Sequence, residues 1–141
     1  MLGLTACETT SELPPPPPSE GAVTMTEAQD NCTPETLDIY FGVGETGLND
    51  LSRAALNAYA ERYVGCDFSA IEIQGHADAQ GSAEINEQVS LERAQTVRQA
   101  LVETDIDFDR IVLVPFGERD AINEDGEIVP MNRKTVVSIL Y

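Results

Sequence analysis

The order in which short alternating segments and longer helical segments follow each other constrains the fold more than any other feature. Segments in which apolar and polar residues alternate are typical of strands, whereas apolar residues three or four positions apart are typical of amphipathic helices. These patterns predict strands at 37–41, 71–76, 111–114 and 135–141, helices at 48–64 and 84–103, and a loop at 117–131. The order βαβαββ predicts an α/β two-layer sandwich, in which two helices cover one mixed four-stranded sheet.

The charge of the chain limits its partners. The 141 residues are enough for one domain, and they carry 25 acidic and 8 basic side chains, for a formal net charge of −17. A nucleic-acid-binding protein needs a basic surface, so this balance excludes nucleic acid as a partner. Because cations are so few, any arginine on an apolar face needs an explanation.

The N-terminus carries a candidate lipid anchor. Leu4-Thr5-Ala6-Cys7 resembles the lipobox of bacterial lipoproteins. The resemblance implies cleavage before Cys7, acylation of its thiol and attachment to a membrane. No basic residue and no long apolar stretch precede the cysteine, so residues 1–7 are predicted to be the end of a truncated signal.

A linker is predicted to follow the anchor. Pro14 to Pro18 form an unbroken run, and such a run favours an extended polyproline II conformation that cannot join a packed core. We therefore expect residues 8–34 to be a disordered, proline-rich linker, and residues 35–141 to be the folded domain.

Cys32 and Cys66 each lie just before a predicted strand. The starts of the two parallel strands of a βαβ unit lie at the same edge, so the thiols can meet there and would oxidise in an exported protein. A disulfide that closes a loop of 66 − 32 = 34 residues is therefore predicted, with two separate thiols as the alternative.

Arg93 lies near the middle of the helix face that should be buried. Val89 and Val97 flank it four residues away on either side, and Ile85 and Leu101 extend the same stripe. A guanidinium in such a place is costly unless an anion meets it. An internal salt bridge or a snorkelling stem would be the structural explanation.

A ligand is the other explanation for Arg93. Asn86 and Ser90 bring further hydrogen-bonding groups to the same face, and Asp78 follows the second predicted strand. An arginine and an aspartate side by side suit a zwitterionic amino acid, with its carboxylate on Arg93 and its ammonium on Asp78.

The same residues form a motif: Gly75-His76-Ala77-Asp78, then Asn86-x-x-Val89-Ser90-x-x-Arg93-Ala94-x-x-Val97-x-x-x-Leu101. This pattern resembles the peptidoglycan-binding motif of the OmpA C-terminal domain family, whose lipid-anchored members include the peptidoglycan-associated lipoproteins. Phe116-Gly117-Glu118 and Asn132-Arg133-Lys134 extend the resemblance, which runs from about residue 37 to residue 141.

The resemblance implies a function. Asp78 and Arg93 would clasp the free amino-acid end of diaminopimelate in the peptidoglycan stem peptide, with Asn86 and Arg133 as supporting contacts. With an anchor at Cys7, the domain would lie in the periplasm and tether the outer membrane to the cell wall without a covalent bond. Many members have Asp in place of Gly42 and Arg in place of Lys134. These two differences predict a lower affinity for the ligand.

Two alternative functions, catalysis and protein binding, follow from other features of the sequence. His76 is the only histidine, and His76 with Glu72 and Asp78 would be a poor set of zinc ligands. The sequence also contains no hydrolase or phosphate-loop motif. We therefore expect no catalysis, no cofactor and no metal. A periplasmic module that binds envelope proteins through its acidic surface, without touching the wall, stays open as the second function.

Overall fold

The computed structural model describes residues 32–141. The predictions for the truncated signal at 1–7, for lipidation of Cys7 and for most of the 8–34 linker lie outside the described residues. The elements are β1 (Thr36–Tyr40), α1 (Asp50–Arg62), β2 (Ala70–Gly75), α2 (Ala83–Val102), β3 (Ile111–Pro115), a 3₁₀ turn (Pro130–Asn132) and β4 (Lys134–Leu140). The predicted order βαβαββ is confirmed, with ends that differ by one or two residues.

The four strands form one mixed sheet in the order β1-β4-β2-β3. β4 pairs antiparallel with both β1 and β2, and β2 pairs parallel with β3. Both helices pack on the same face, where Leu56 and Tyr63 from the α1 side meet Val97 of α2 and Ile71 and Ile73 of β2 in one core. The two-layer sandwich is thus confirmed. No helix within residues 32–141 is long and apolar enough to cross a bilayer.

The helix boundaries follow from local capping. Asn49 is the N-cap of α1, because its Oδ1 accepts a hydrogen bond of 2.8 Å from Ser52 N. Tyr63 caps the other end and Gly65 follows with φ +81°, so α1 ends before residue 64. Ser82 caps α2 directly after Gly81, whose φ of +96° turns the chain from β2 into the helix.

Gly75 lets α2 lie directly on the end of β2. A Cβ at this position would overlap the carbonyl carbon and oxygen of Ser90, so only glycine allows the two backbones to approach this closely. The residues that follow Gly75 therefore lie beside the first half of α2.

The opposite end of the sheet is closed by a disulfide. Cys32 and Cys66 are bonded, with their Cα atoms 5.6 Å apart. Nearby, Tyr63 Oη donates to Thr33 O at 2.9 Å and Tyr59 Oη donates to Glu35 O at 2.7 Å. These contacts attach the segment before β1 to the end of α1.

Candidate functional site

A cleft of about 290 Å³ opens between the loop after β1, the segment after β2 and the start of α2. This volume is near the lower limit for small-molecule sites, and it suits a ligand of about one amino-acid residue. Its polar lining comes from Asp78, Gln80, Asn86 and Arg93, and its large apolar lining from Val43, Ile85 and Val89. A groove of about 460 Å³ between the helices contains none of the predicted site residues.

Arg93 is the most deeply placed polar side chain of the cleft, with 2% of its surface exposed. Its Nε donates to Glu45 O at 2.9 Å, its Nη1 to His76 O at 2.9 Å and its Nη2 to Gly42 O at 3.4 Å. Its guanidinium also lies 5.1 Å from the centroid of the Phe41 ring. The buried position was predicted from the sequence, whereas the three carbonyl partners were not.

The charge of Arg93 is not neutralised by a direct ion pair, since none of the ion pairs within residues 32–141 includes it. Burial lowers the pKa of Arg93, and the nearby Asp78 carboxylate opposes that shift. A guanidinium has five N–H groups, so three hydrogen bonds leave one N–H on Nη1 and one on Nη2. Arg93 lines the cleft, and these two groups take no part in the three hydrogen bonds above.

Asp78 is 8% exposed and forms a salt bridge with Arg133, with Nη1 and Oδ2 3.1 Å apart. Its Oδ1 also accepts from Gln80 N at 3.3 Å. Arg133 was predicted as a supporting ligand contact, but it binds Asp78 and is not among the residues that line the cleft. Asp78 therefore has a direct ion pair with Arg133 and acts on Arg93 only through its charge.

Asn86 is 3% exposed at the cleft wall, and its Nδ2 donates to Glu118 Oε2 at 2.6 Å. Glu118 fixes the amide so that Asn86 presents its Oδ1 on the side of Gly81. Asn132, also missed as a site residue, donates to Ala77 O at 2.7 Å and holds the segment beside Asp78. Glu118 and Asn132 lie in the motif extensions at 116–118 and 132–134, which were the only sequence signal for these two residues.

Ser90 and His76 have structural contacts. Ser90 Oγ donates to Glu87 O at 2.7 Å and accepts from Gly117 N at 2.9 Å, so its only donor is used within the domain. The His76 ring stacks on Phe116 with centroids 4.8 Å apart, and its two ring nitrogens have no hydrogen-bond partner in the described part of the chain. Among residues 32–141, no group of three metal-binding side chains lies together.

The two departures from the family pattern have different surroundings. Lys134 Nζ binds Asp38 Oδ2 at 2.8 Å, and Lys134 does not line the cleft. At Gly42 a Cβ would lie 2.5 Å from Glu45 Oε2, so a side chain there requires the exposed Glu45 side chain to move.

A family model described as the OmpA family matches residues 40–135, more than half of the 141 residues. The chain belongs to the OmpA family. This match confirms the family that the motif on β2 and α2 indicated, and it includes the whole cleft.

Individual relatives agree with this membership. Outer membrane protein Omp38 of Acinetobacter baumannii is 29% identical over 106 residues, which are 73% of this chain and 30% of Omp38. Peptidoglycan-binding protein ArfA of Mycobacterium tuberculosis is 30% identical over 134 residues, which are 94% of this chain and 41% of ArfA. The chain therefore spans less than half the length of these curated relatives.

Among solved structures, the peptidoglycan-associated lipoprotein of Burkholderia pseudomallei is similar with a TM-score of 0.62 and 24% identity. The similarity covers 72% of this chain and 88% of that one. It shows that the two chains share their fold.

Proposed function

We propose that this domain binds peptidoglycan non-covalently, by holding the free amino-acid end of diaminopimelate in the stem peptide. The observation that carries the proposal is Arg93, a cation with 2% exposure at the base of an open cleft. It keeps two N–H groups free and has no direct carboxylate partner in the described domain. A ligand carboxylate would supply both the acceptors and the missing charge.

Asp78 provides the opposite pole. Its carboxylate lines the same cleft and is held by Arg133 Nη1 at 3.1 Å. A carboxylate has about four acceptor positions, so Asp78 can bind a ligand ammonium while it keeps Arg133. We assign Arg133 to positioning Asp78, and we assign Asn86, oriented by Glu118, to a supporting contact with the ligand.

The cleft is equipped for binding rather than catalysis. The polar side chains that line it are Asp78, Gln80, Asn86 and Arg93. The lining contains no serine, cysteine or histidine that could act as a nucleophile or as its base. Arg93 is fixed by backbone carbonyls and Asp78 by a salt bridge. We therefore propose a binding module without enzymatic activity.

The fold also suits a tether. The segment before β1 is attached by the Cys32–Cys66 disulfide at the start of β2, whereas Asp78 follows the end of β2. If the linker enters the domain at Cys32, the cleft lies at the opposite end of the sheet and would face away from a membrane. With lipidation at Cys7, the domain would connect the outer membrane to the cell wall from the periplasm.

A sacculus pull-down tests the function. The full chain should sediment with purified peptidoglycan sacculi, and Asp78→Asn and Arg93→Lys should reduce the bound fraction while circular dichroism shows an unchanged fold. Arg98→Lys is the matched control, because Arg98 is an exposed arginine on the same helix. Equal sedimentation of all variants would refute the site. A wild-type chain that ignores sacculi would favour the alternative, a module that binds envelope proteins only.

A further inference from the structure

Two aliphatic side chains at the mouth of the cleft are exposed. Val43 is 67% exposed and Ile85 is 57% exposed, and both line the cleft. The sequence pattern predicted Ile85 to continue the buried stripe of the helix, which is wrong. An exposed aliphatic side chain alone carries little information. Here two of them border the site that contains Arg93.

The backbone that carries each side chain is held by hydrogen bonds. Val43 lies in the turn 42–45, in which Glu45 N donates to Gly42 O, and the carbonyls at both ends of this turn accept hydrogen bonds from Arg93. Ile85 lies in the first turn of α2, where its N–H is capped by Ser82. Valine and isoleucine have few χ1 rotamers, so contacts with them cost little side-chain entropy.

The cleft therefore has a charged base, and at its mouth two aliphatic side chains lie beside the exposed Gln80. Asp78, Asn86 and Arg93 are each at most 8% exposed, whereas Val43 and Ile85 are more than half exposed. A ligand that matches this order enters with its charged head first and leaves an aliphatic stem at the mouth. An α-amino acid with a straight methylene chain, attached to a larger molecule at its far end, has this chemistry.

We propose that Val43 and Ile85 hold the methylene chain next to the clasped amino-acid head, and that they select ligands by the length of this chain. The proposal rests on the proposed function. It assigns the discrimination between amino acids to residues outside the charged clasp.

The test compares alanine with norleucine, which has the same head and three more methylenes. Burial of one methylene favours binding by about fourfold, so partial burial of three predicts that norleucine binds the wild-type chain roughly tenfold more tightly than alanine. Each amino acid is titrated as both enantiomers, together with meso-diaminopimelate, and dissociation constants come from amide chemical shifts in NMR spectra.

The variants are Val43→Ser, Ile85→Gln and both together. The norleucine-to-alanine ratio should fall to within about threefold in the double variant, because norleucine should lose more affinity than alanine. Val102→Ser is the control, because Val102 is a 54% exposed aliphatic residue at the other end of α2.

Two results would overturn the proposal. The wild-type ratio could be close to one, or the ratio could survive in the double variant; survival with both affinities lowered equally would indicate damage to the clasp. A wild-type chain that binds none of the three ligands would instead refute the proposed function, and this inference with it.

Discussion

Replacing Arg93 by methionine tests how the cleft is built. Methionine keeps the unbranched stem of the side chain but removes the charge and all five N–H groups. Three carbonyls, of Gly42, Glu45 and His76, would then lose their donor. We expect the loop 42–45 to loosen, because two of these carbonyls belong to it.

The magnitude follows from the contacts. Two of the hydrogen bonds measure 2.9 Å, and a hydrogen bond from a charged group contributes about 1.5–3 kcal/mol. The contact with the Phe41 ring adds about 1 kcal/mol. Removing a buried cation relieves several kcal/mol of desolvation, which offsets part of this loss. The free energy of unfolding should therefore fall by about 2–3 kcal/mol.

Urea denaturation followed by circular dichroism measures the loss, and hydrogen exchange of residues 42–45 measures the loosening. Arg98→Met is the control and should change stability by less than about 0.5 kcal/mol, because Arg98 is exposed on the same helix. If Arg93→Met is neutral or stabilising, Arg93 does not hold the loop and serves the ligand alone. Unchanged exchange at 42–45 would refute the reasoning in the same way.

Three further predictions concern the scaffold. Replacing Cys32 and Cys66 by serine should lower the free energy of unfolding by about 3–4 kcal/mol in the chain-entropy model, measured by urea denaturation, while sacculus binding persists; equal stability would contradict the role of the disulfide. Burial and, to a smaller degree, Lys134 lower the pKa of His76, against an opposing effect of Asp120 and Asp38. Stability contributed by the neutral ring is therefore complete above the ordinary pKa of about 6.5 and is lost as the pH falls below it. The urea midpoint of the wild type should drop more steeply from about pH 6.5 to 5 than that of His76→Gln, and parallel curves would refute this. Gly75→Ala should prevent stable folding, as judged by thermal melting, because its Cβ would overlap a carbonyl of α2, whereas Gly47→Ala has free space and should be tolerated.

The fold could be predicted from the sequence because each element carries its own periodicity and boundary residues. The helical stripe around Arg93 and the alternation at 71–76 indicate α2 and β2 without reference to the rest of the chain. The burial of one residue, Ile85, was predicted wrongly, and tertiary geometry is the reason. Ile85 fits the buried stripe by spacing, but it lies in the first turn of α2 and lines the cleft, where it is 57% exposed.

The site was only partly predictable, for a related reason. Asp78, Asn86 and Arg93 lie close in sequence on adjacent elements, so the motif places all three at one cleft. Two of the three carbonyl oxygens that hold Arg93 come from Gly42 and Glu45, about fifty residues earlier, and backbone groups leave no sequence pattern. Only the folded chain shows these contacts.

The most direct test of the account measures each half of the proposed clasp separately. Three stem peptides are compared: one in which the free end of diaminopimelate is intact, one in which its carboxylate is amidated, and one in which its amine is acetylated. Calorimetry gives the affinity of each peptide for the wild type and for Asp78→Asn. Either modification should weaken binding to the wild type by about tenfold or more, as expected for a charge-assisted hydrogen bond. Acetylation should cost the Asp78→Asn variant almost nothing, whereas amidation should still weaken it, because Arg93 remains. An acetylation penalty that is equally large in both proteins would contradict the claim that Asp78 holds the ammonium while Arg93 holds the carboxylate.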